Sequence, residues 1–111
     1  GKIIARGENR VQKYKNPTLH AEIVAINRAC KKLGTKFLDG CDLYVTLEPC
    51  AMCAGAIGWA QIERVVYGTS DEKKGFSIIA PNALHPKCQV TKGVLQEECS
   101  TLMKDFFQKK R

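Results

Sequence analysis

The chain has 111 residues, 44% of them apolar, which suits one globular domain with a modest core and argues against several domains or a disordered tail. Eighteen Lys and Arg against eleven Asp and Glu leave a formal charge of +7, a balance that suits an anionic partner such as nucleic acid and equally suits a solvated surface. No apolar run approaches the roughly 20 residues that span a bilayer, and no leader pattern opens the chain, so a soluble, cytoplasmic protein without membrane contact is expected.

Ile3 to Arg6 reads as a short strand, the second arm of a hairpin whose first arm would lie upstream of Gly1. Residues 1–111 are therefore expected to be a single domain that lacks a segment at its start. A polar loop from Glu8 to Pro17 leads to Thr18, a suitable N-cap. Leu19, Ile23, Ile26, Cys30 and Leu33 then recur at steps of four and three, the stripe of an amphipathic helix, and Gly34 stands where a helix end favours positive φ.

Leu43 to Leu47 reads as a strand. Pro49 suits the first position of a second helix, "PCAMCAGAIGWA", because proline has no N–H to leave unpaired there. This helix is apolar nearly all round, which implies burial on most sides. A strand at Arg64 to Gly68 follows, then an irregular stretch from Thr69 to about Pro86, long enough to suggest a functional loop. Gln89 to Thr91 reads as a last short strand, and residues 94–108 as a last helix with Leu95, Cys99, Leu102 and Phe106 on one stripe. Strands alternating with helices argue for an α/β arrangement with helices packed on a central sheet.

Of the six cysteines only Cys50 and Cys53 are closely spaced; Cys30, Cys41, Cys88 and Cys99 lie singly in apolar patterns, as reduced core cysteines do. At i and i+3 in the first turn of a helix, Cys50 and Cys53 project from one face and can grip one ion, and the partial positive charge of a helix N-terminus favours their thiolates. His20 opens the other helix. If the two N-termini converge, His20, Cys50 and Cys53 form a three-ligand zinc site with the fourth position open. An ion there lowers the pKa of a bound water toward about 7, and Glu22, two residues from His20, can shuttle the proton without ligating the metal.

"HAE" at 20–22 and "PCAMC" at 49–53 match H-x-E…P-C-x-x-C, the signature of zinc nucleobase deaminases. With "NPTLHAEIVAI", "DLYVTLEPCAMCAGAI", "RVVYG" and "LMKDFF", the chain resembles the bacterial tRNA-specific adenosine deaminases over nearly its whole length. The resemblance implies a cytidine-deaminase-like, three-layer α-β-α fold: a central mixed sheet with helices on both faces, its N-terminal helix and first strand missing here. It implies one Zn²⁺ per chain held by His20, Cys50 and Cys53, Glu22 as proton shuttle, and Asn9 and the Ala21 backbone at the target base. It further implies hydrolysis of the wobble adenosine of a tRNA anticodon loop to inosine, and a homodimer. Trp59 departs from the polar or basic residue usual there.

Arg10, Lys13, Tyr14 and Lys15 in the first loop, and Phe107, Lys109, Lys110 and Arg111 in the tail, interleave cations with aromatics as single-stranded RNA contacts do; ordinary solvated surface reads the same way. Other readings stay open. A free-base or nucleotide deaminase acting on guanine or cytosine would use the same zinc machinery. A strand before Cys-x-x-Cys also describes thiol oxidoreductases, which would leave His20 and Glu22 idle. A zinc-stabilised RNA-binding module would need a fourth ligand, which Cys30, Cys41, Cys88, Cys99 or His85 could offer.

Overall fold

The computed structural model describes residues 3–93. The helix expected at 94–108, with Cys99, and the tail residues Phe107, Lys109, Lys110 and Arg111 lie outside them. In chain order the elements are α1 (Val11–Tyr14), α2 (Ala21–Leu33), β1 (Asp42–Leu47), α3 (Ala51–Ala60), β2 (Arg64–Thr69), α4 (Phe76–Ile79) and β3 (Gln89–Lys92). Among the described residues no helix is long and apolar enough to cross a membrane.

The three described strands form one sheet in the order β1-β2-β3, parallel throughout, with Leu43 opposite Val65 and Val65 opposite Val90. Parallel neighbours need a crossover, which α3 supplies between β1 and β2. Central β2 is buried from Val65 to Thr69, whereas β1 alternates exposed and half-buried residues and β3 is exposed along its length. The core lies on one face of the sheet. There Val65 and Tyr67, with Leu43 and Val45 beside them, pack against Ile26 of α2 and Ala54, Ile57 and Ala60 of α3. Ile57 and Val65 are fully buried, so truncating Ile57 to alanine costs about 2–5 kcal/mol.

Four expectations are corrected. Ile3 to Arg6 is not a strand. A strand exists only where it is paired, and this stretch lies along α2 instead: Arg28 Nη1 donates to the Arg6 carbonyl at 3.0 Å, and Gly7 sits so close to Ala21 and Ala25 that any Cβ there would overlap them. Both long helices begin later than their caps suggested. Thr18 is held in a turn by Asn16 Oδ1, which accepts from its N–H at 2.9 Å and its hydroxyl at 2.7 Å, and the N-cap is His20; likewise the N-cap of α3 is Cys50, one residue after Pro49. The stripe of α2 faces the core at Ile26 and Cys30 but does not reach Leu33, which is 46% exposed. Within the long irregular stretch, α4 forms one turn, anchored by Phe76, whose ring meets Tyr67 edge-on at 6.3 Å.

Candidate metal and catalytic site

The site forms where β1 ends and two helices begin, at the carboxyl edge of a parallel strand where α/β folds bind ligands. His20 and Cys50 are both N-cap residues in extended conformation, and neither side chain caps its own helix. A Ser, Thr, Asp or Asn in that place would stabilise the helix by about 1 kcal/mol. Here the two side chains turn toward each other: His20 Nδ1 is 3.6 Å from Cys50 Sγ and 3.5 Å from Cys53 Sγ. Cys53, three residues on in the first turn of α3, is fully buried, while His20 and Cys50 are half-buried.

These spacings fit a metal. Ligands at the usual zinc distances and tetrahedral angles place a nitrogen and a sulfur about 3.6 Å apart. Among the described residues, His20, Cys50 and Cys53 form the group whose ligand atoms all lie within 4.8 Å of one another. Cys30, Cys41, Cys88 and His85 do not belong to it, so among the described residues none of the fourth ligands considered for a closed site is in place. Three protein ligands and an open position are the arrangement of catalytic rather than structural zinc. Cys30, Cys41 and Cys88 instead pack against the core as free thiols.

Glu22 lies in the first turn of α2, half-buried. Burial first, then the charge of Glu22 and the neighbouring Cys50, push the Cys53 thiol far up. Two thiols and a carboxylate crowded at two helix N-termini therefore call for a cation to hold the thiolates ionised.

The remaining expected residues among those described lie at the start of α2 or precede it in the chain. Ala21 is the first residue of α2, and Gly7 packs against it, which brings the stretch before Asn9 onto the start of the helix. Asn9 is exposed, and its Oδ1 accepts from the Val11 N–H at 3.0 Å, opening α1. Arg10 is committed to Glu8: its Nε donates to Glu8 Oε1 at 2.8 Å and its Nη2 to the same oxygen. Arg28 reaches both Glu8 oxygens at 3.0 Å from across α2. Lys13, Tyr14 and Lys15 are exposed, with the Lys13 ammonium 5.5 Å from the centre of the Tyr14 ring.

Glu48 was missed in the sequence. It is 3% exposed, directly before Pro49, and its carboxylate is filled by donors from the loop after β2. The available signal was a lone carboxylate inside the apolar run "YVTLEPCAMCA". Away from the centre, a shallow apolar groove runs between the C-terminal half of α2 and α3, lined by Ile26, Cys30, Phe37, Ala56 and Trp59.

A family model described as MafB19-like deaminase matches residues 1–111. The tRNA-specific adenosine deaminase of Bacillus subtilis is 44% identical over all of this chain and 72% of its own length. A structure from a study of A-to-I editing by tRNA:A34 deaminases at the wobble position of transfer RNA superposes with a TM-score of 0.83 at 42% identity, covering 91% of this chain and 77% of that one. Guanine deaminase from Bacillus subtilis is 51% identical over 63% of this chain and 45% of its own, with a TM-score of 0.62. The fold is thus the α/β, cytidine-deaminase-like one, here with a three-stranded parallel sheet among the described residues.

Proposed function

Since the chain belongs to the MafB19-like deaminase family and is a deaminase, a hydrolase acting on C–N bonds, we propose that it converts the wobble adenosine of a tRNA anticodon loop to inosine. The observation that carries the chemistry is the meeting of His20 Nδ1 with the Cys50 and Cys53 sulfurs at 3.6 and 3.5 Å. The identity to tRNA-specific adenosine deaminases along the whole chain supports the substrate.

His20, Cys50 and Cys53 would hold one zinc ion. Zinc in such a set supplies a water acidified to near neutral pH. In the reaction water adds to C6 of the adenine, the bond from C6 to its amino nitrogen breaks, and ammonia leaves. Glu22 carries the protons: it takes one from the attacking water and gives it to the ring nitrogen N1, then takes the second from the new C6 hydroxyl as the carbonyl forms and gives it to the departing amine. Asn9 and the Ala21 backbone, beside the start of α2, hold the extruded base. Lys13, Tyr14 and Lys15, with the tail cations Lys109, Lys110 and Arg111 and the ring of Phe107, track the RNA; Arg10, bonded to Glu8, orders that loop first.

A homodimer completes this reading. Residues 51–60, AMCAGAIGWA, carry no charged side chain, yet α3 buries one face only: Cys53, Ala54, Ile57 and Ala60. On its outward side Met52 is 39% and Trp59 85% exposed. A helix apolar all round is stable when covered on both sides, and a second copy of this chain is the cover proposed.

The likeness to guanine deaminase favours one second reading, a free-base deaminase acting on guanine. Ammonia release from an anticodon stem-loop, free adenosine, guanine and cytidine, each incubated with the zinc-loaded protein, separates the two. Turnover of the stem-loop alone is expected; turnover of guanine with an inert stem-loop would replace the RNA reading by the free-base one.

A further inference from the structure

Glu48 stands two residues before a ligand cysteine, at the point where β1 gives way to α3, and it is buried. A buried carboxylate is costly unless its oxygens are filled with donors. Here they are. Oε1 accepts the Asp71 N–H at 3.1 Å, and Oε2 accepts the Ser77 N–H at 2.9 Å and the Ser77 hydroxyl at 2.6 Å. Asp71 belongs to the loop that follows β2, and Ser77 to the single turn of α4 that continues it.

That loop is closed on itself before it reaches Glu48. Asp71 Oδ1 accepts from Lys73 N–H and Lys74 N–H at 3.0 Å each, and the Asp71 carbonyl accepts from Gly75 N–H at 3.0 Å. Glu48 holds both ends of this closed turn, at Asp71 and Ser77. Gly75 lies flat against the carboxylate, with no room for a Cβ. Gly75 also forms an antiparallel bridge with Cys50, and Phe76 N–H donates to the Pro49 carbonyl at 2.9 Å. The backbone of the ligand Cys50 is therefore fixed on its outer side by a loop that Glu48 sets in register.

We propose that Glu48 is a positioning residue for the metal centre: by seating the 71–77 loop it fixes the Cys50 backbone, and with it the sulfur, at the spacing that a tetrahedral ion requires. The inference rests on the reading of His20, Cys50 and Cys53 as zinc ligands. Outer groups that orient metal ligands change metal affinity by about 10–100-fold when removed. In Glu48→Gln one oxygen becomes an N–H₂ group facing a backbone donor, so the loop loses its register while side-chain size is kept.

The test is a chelator-competition titration of zinc, with the absorption spectrum of the cobalt-loaded protein, on wild type, Glu48→Gln, Ser77→Ala and Ile57→Val. Glu48→Gln is expected to bind zinc about 10–100-fold more weakly and to shift the thiolate-to-cobalt bands. Ser77→Ala, on an exposed residue, keeps the backbone donor to Glu48 and should weaken zinc in the same direction by several-fold; it decides the matter should Glu48→Gln not fold. Ile57→Val removes a core methylene without touching the hydrogen bonds of Glu48 and should lower the melting temperature with zinc affinity unchanged. Wild-type affinity and spectrum in Glu48→Gln, unchanged affinity in Ser77→Ala, or equal weakening in Ile57→Val would each overturn the inference while leaving the metal reading intact. A wild-type protein that takes up no zinc would overturn both.

Discussion

His20 and Cys50 stand at the N-caps of two different helices, and their side chains meet at 3.6 Å instead of capping the turns they begin. Two helices that forgo their caps at one point bring together the three donors proposed to hold zinc. His20→Ala, Cys50→Ala and Cys53→Ala are accordingly expected to lose stoichiometric zinc, whereas Cys30→Ala and Cys41→Ala, which remove thiols packed against the core, should keep it. Metal analysis after exhaustive dialysis reads the outcome. Zinc loss in Cys30→Ala or Cys41→Ala with retention in Cys50→Ala would reassign the ligands.

The role proposed for Glu22 separates catalysis from metal holding. Its charge acts on Cys53, but it stands outside the group of three ligand atoms. Glu22→Gln should therefore retain one zinc per chain while turnover falls about 10²–10⁴-fold or more, the usual loss of a general acid–base. A variant that loses zinc would make Glu22 a ligand, and one that keeps zinc and full turnover would remove it from the chemistry.

What the sequence made legible is local. The cluster of His20, Cys50 and Cys53 could be read because H-x-E and P-C-x-x-C fix each pair of side chains within a single helical turn, so only the meeting of two turns had to be supposed. Strands Leu43–Leu47 and Arg64–Gly68 were legible from their apolar runs, and the structure extends each by one residue. Ile3 to Arg6 failed because a strand is defined by its partner, and that stretch is fixed by Arg28 and the surface of α2. Glu48 failed for a similar reason: its donors lie 23 and 29 residues away, in a stretch without periodicity. Thr18 and Pro49 misplaced the caps because His20 and Cys50 take N-cap conformation without N-cap bonds.

The clamp between Glu8 and α2 is sensitive to acid. Hydrogen bonds from Arg28 first and Arg10 second hold the Glu8 carboxyl down at about 2, below its ordinary 4.5. A depressed carboxylate contributes stability that is present above the ordinary value and is lost as pH falls from about 4.5 through about 2. Glu8 should titrate by carbon-detected NMR with a midpoint near 2, and Arg28→Ala should raise that midpoint toward 4.5. Because the pair is exposed, the change in melting temperature near neutral pH should be small. An ordinary midpoint in the wild type would show that the clamp does not persist in solution.

Trp59 reports on assembly. With 85% of its surface exposed on an uncharged helix, it is the largest apolar group that a second copy would cover. Light scattering of the wild type at micromolar concentration should give twice the chain mass, and Trp59→Glu should give the chain mass itself, with zinc still bound. A charge buried without a partner at an interface opposes association strongly. Equal masses for the two proteins would place the dimer contact elsewhere or remove it.

The exposed cations of α1 and its C-cap can be tested through salt. Lys13 and Lys15 flank Tyr14, and the Lys13 ammonium sits 5.5 Å from the ring centre, a surface that offers charge to phosphate and a face to a base. Each phosphate contact releases condensed counterions, so losing one lowers the slope of log affinity against log salt by about 0.7 for a single strand. Lys13→Gln with Lys15→Gln should weaken anticodon stem-loop binding and reduce the slope by about one unit or somewhat more, leaving zinc content unchanged. Tyr14→Ala should weaken binding by about 1–3 kcal/mol at every salt concentration, because stacking releases no ions. The two variants therefore fail differently. A change in slope for Tyr14→Ala, or none for the lysine pair, would return this loop to ordinary solvated surface and leave RNA contact to other residues.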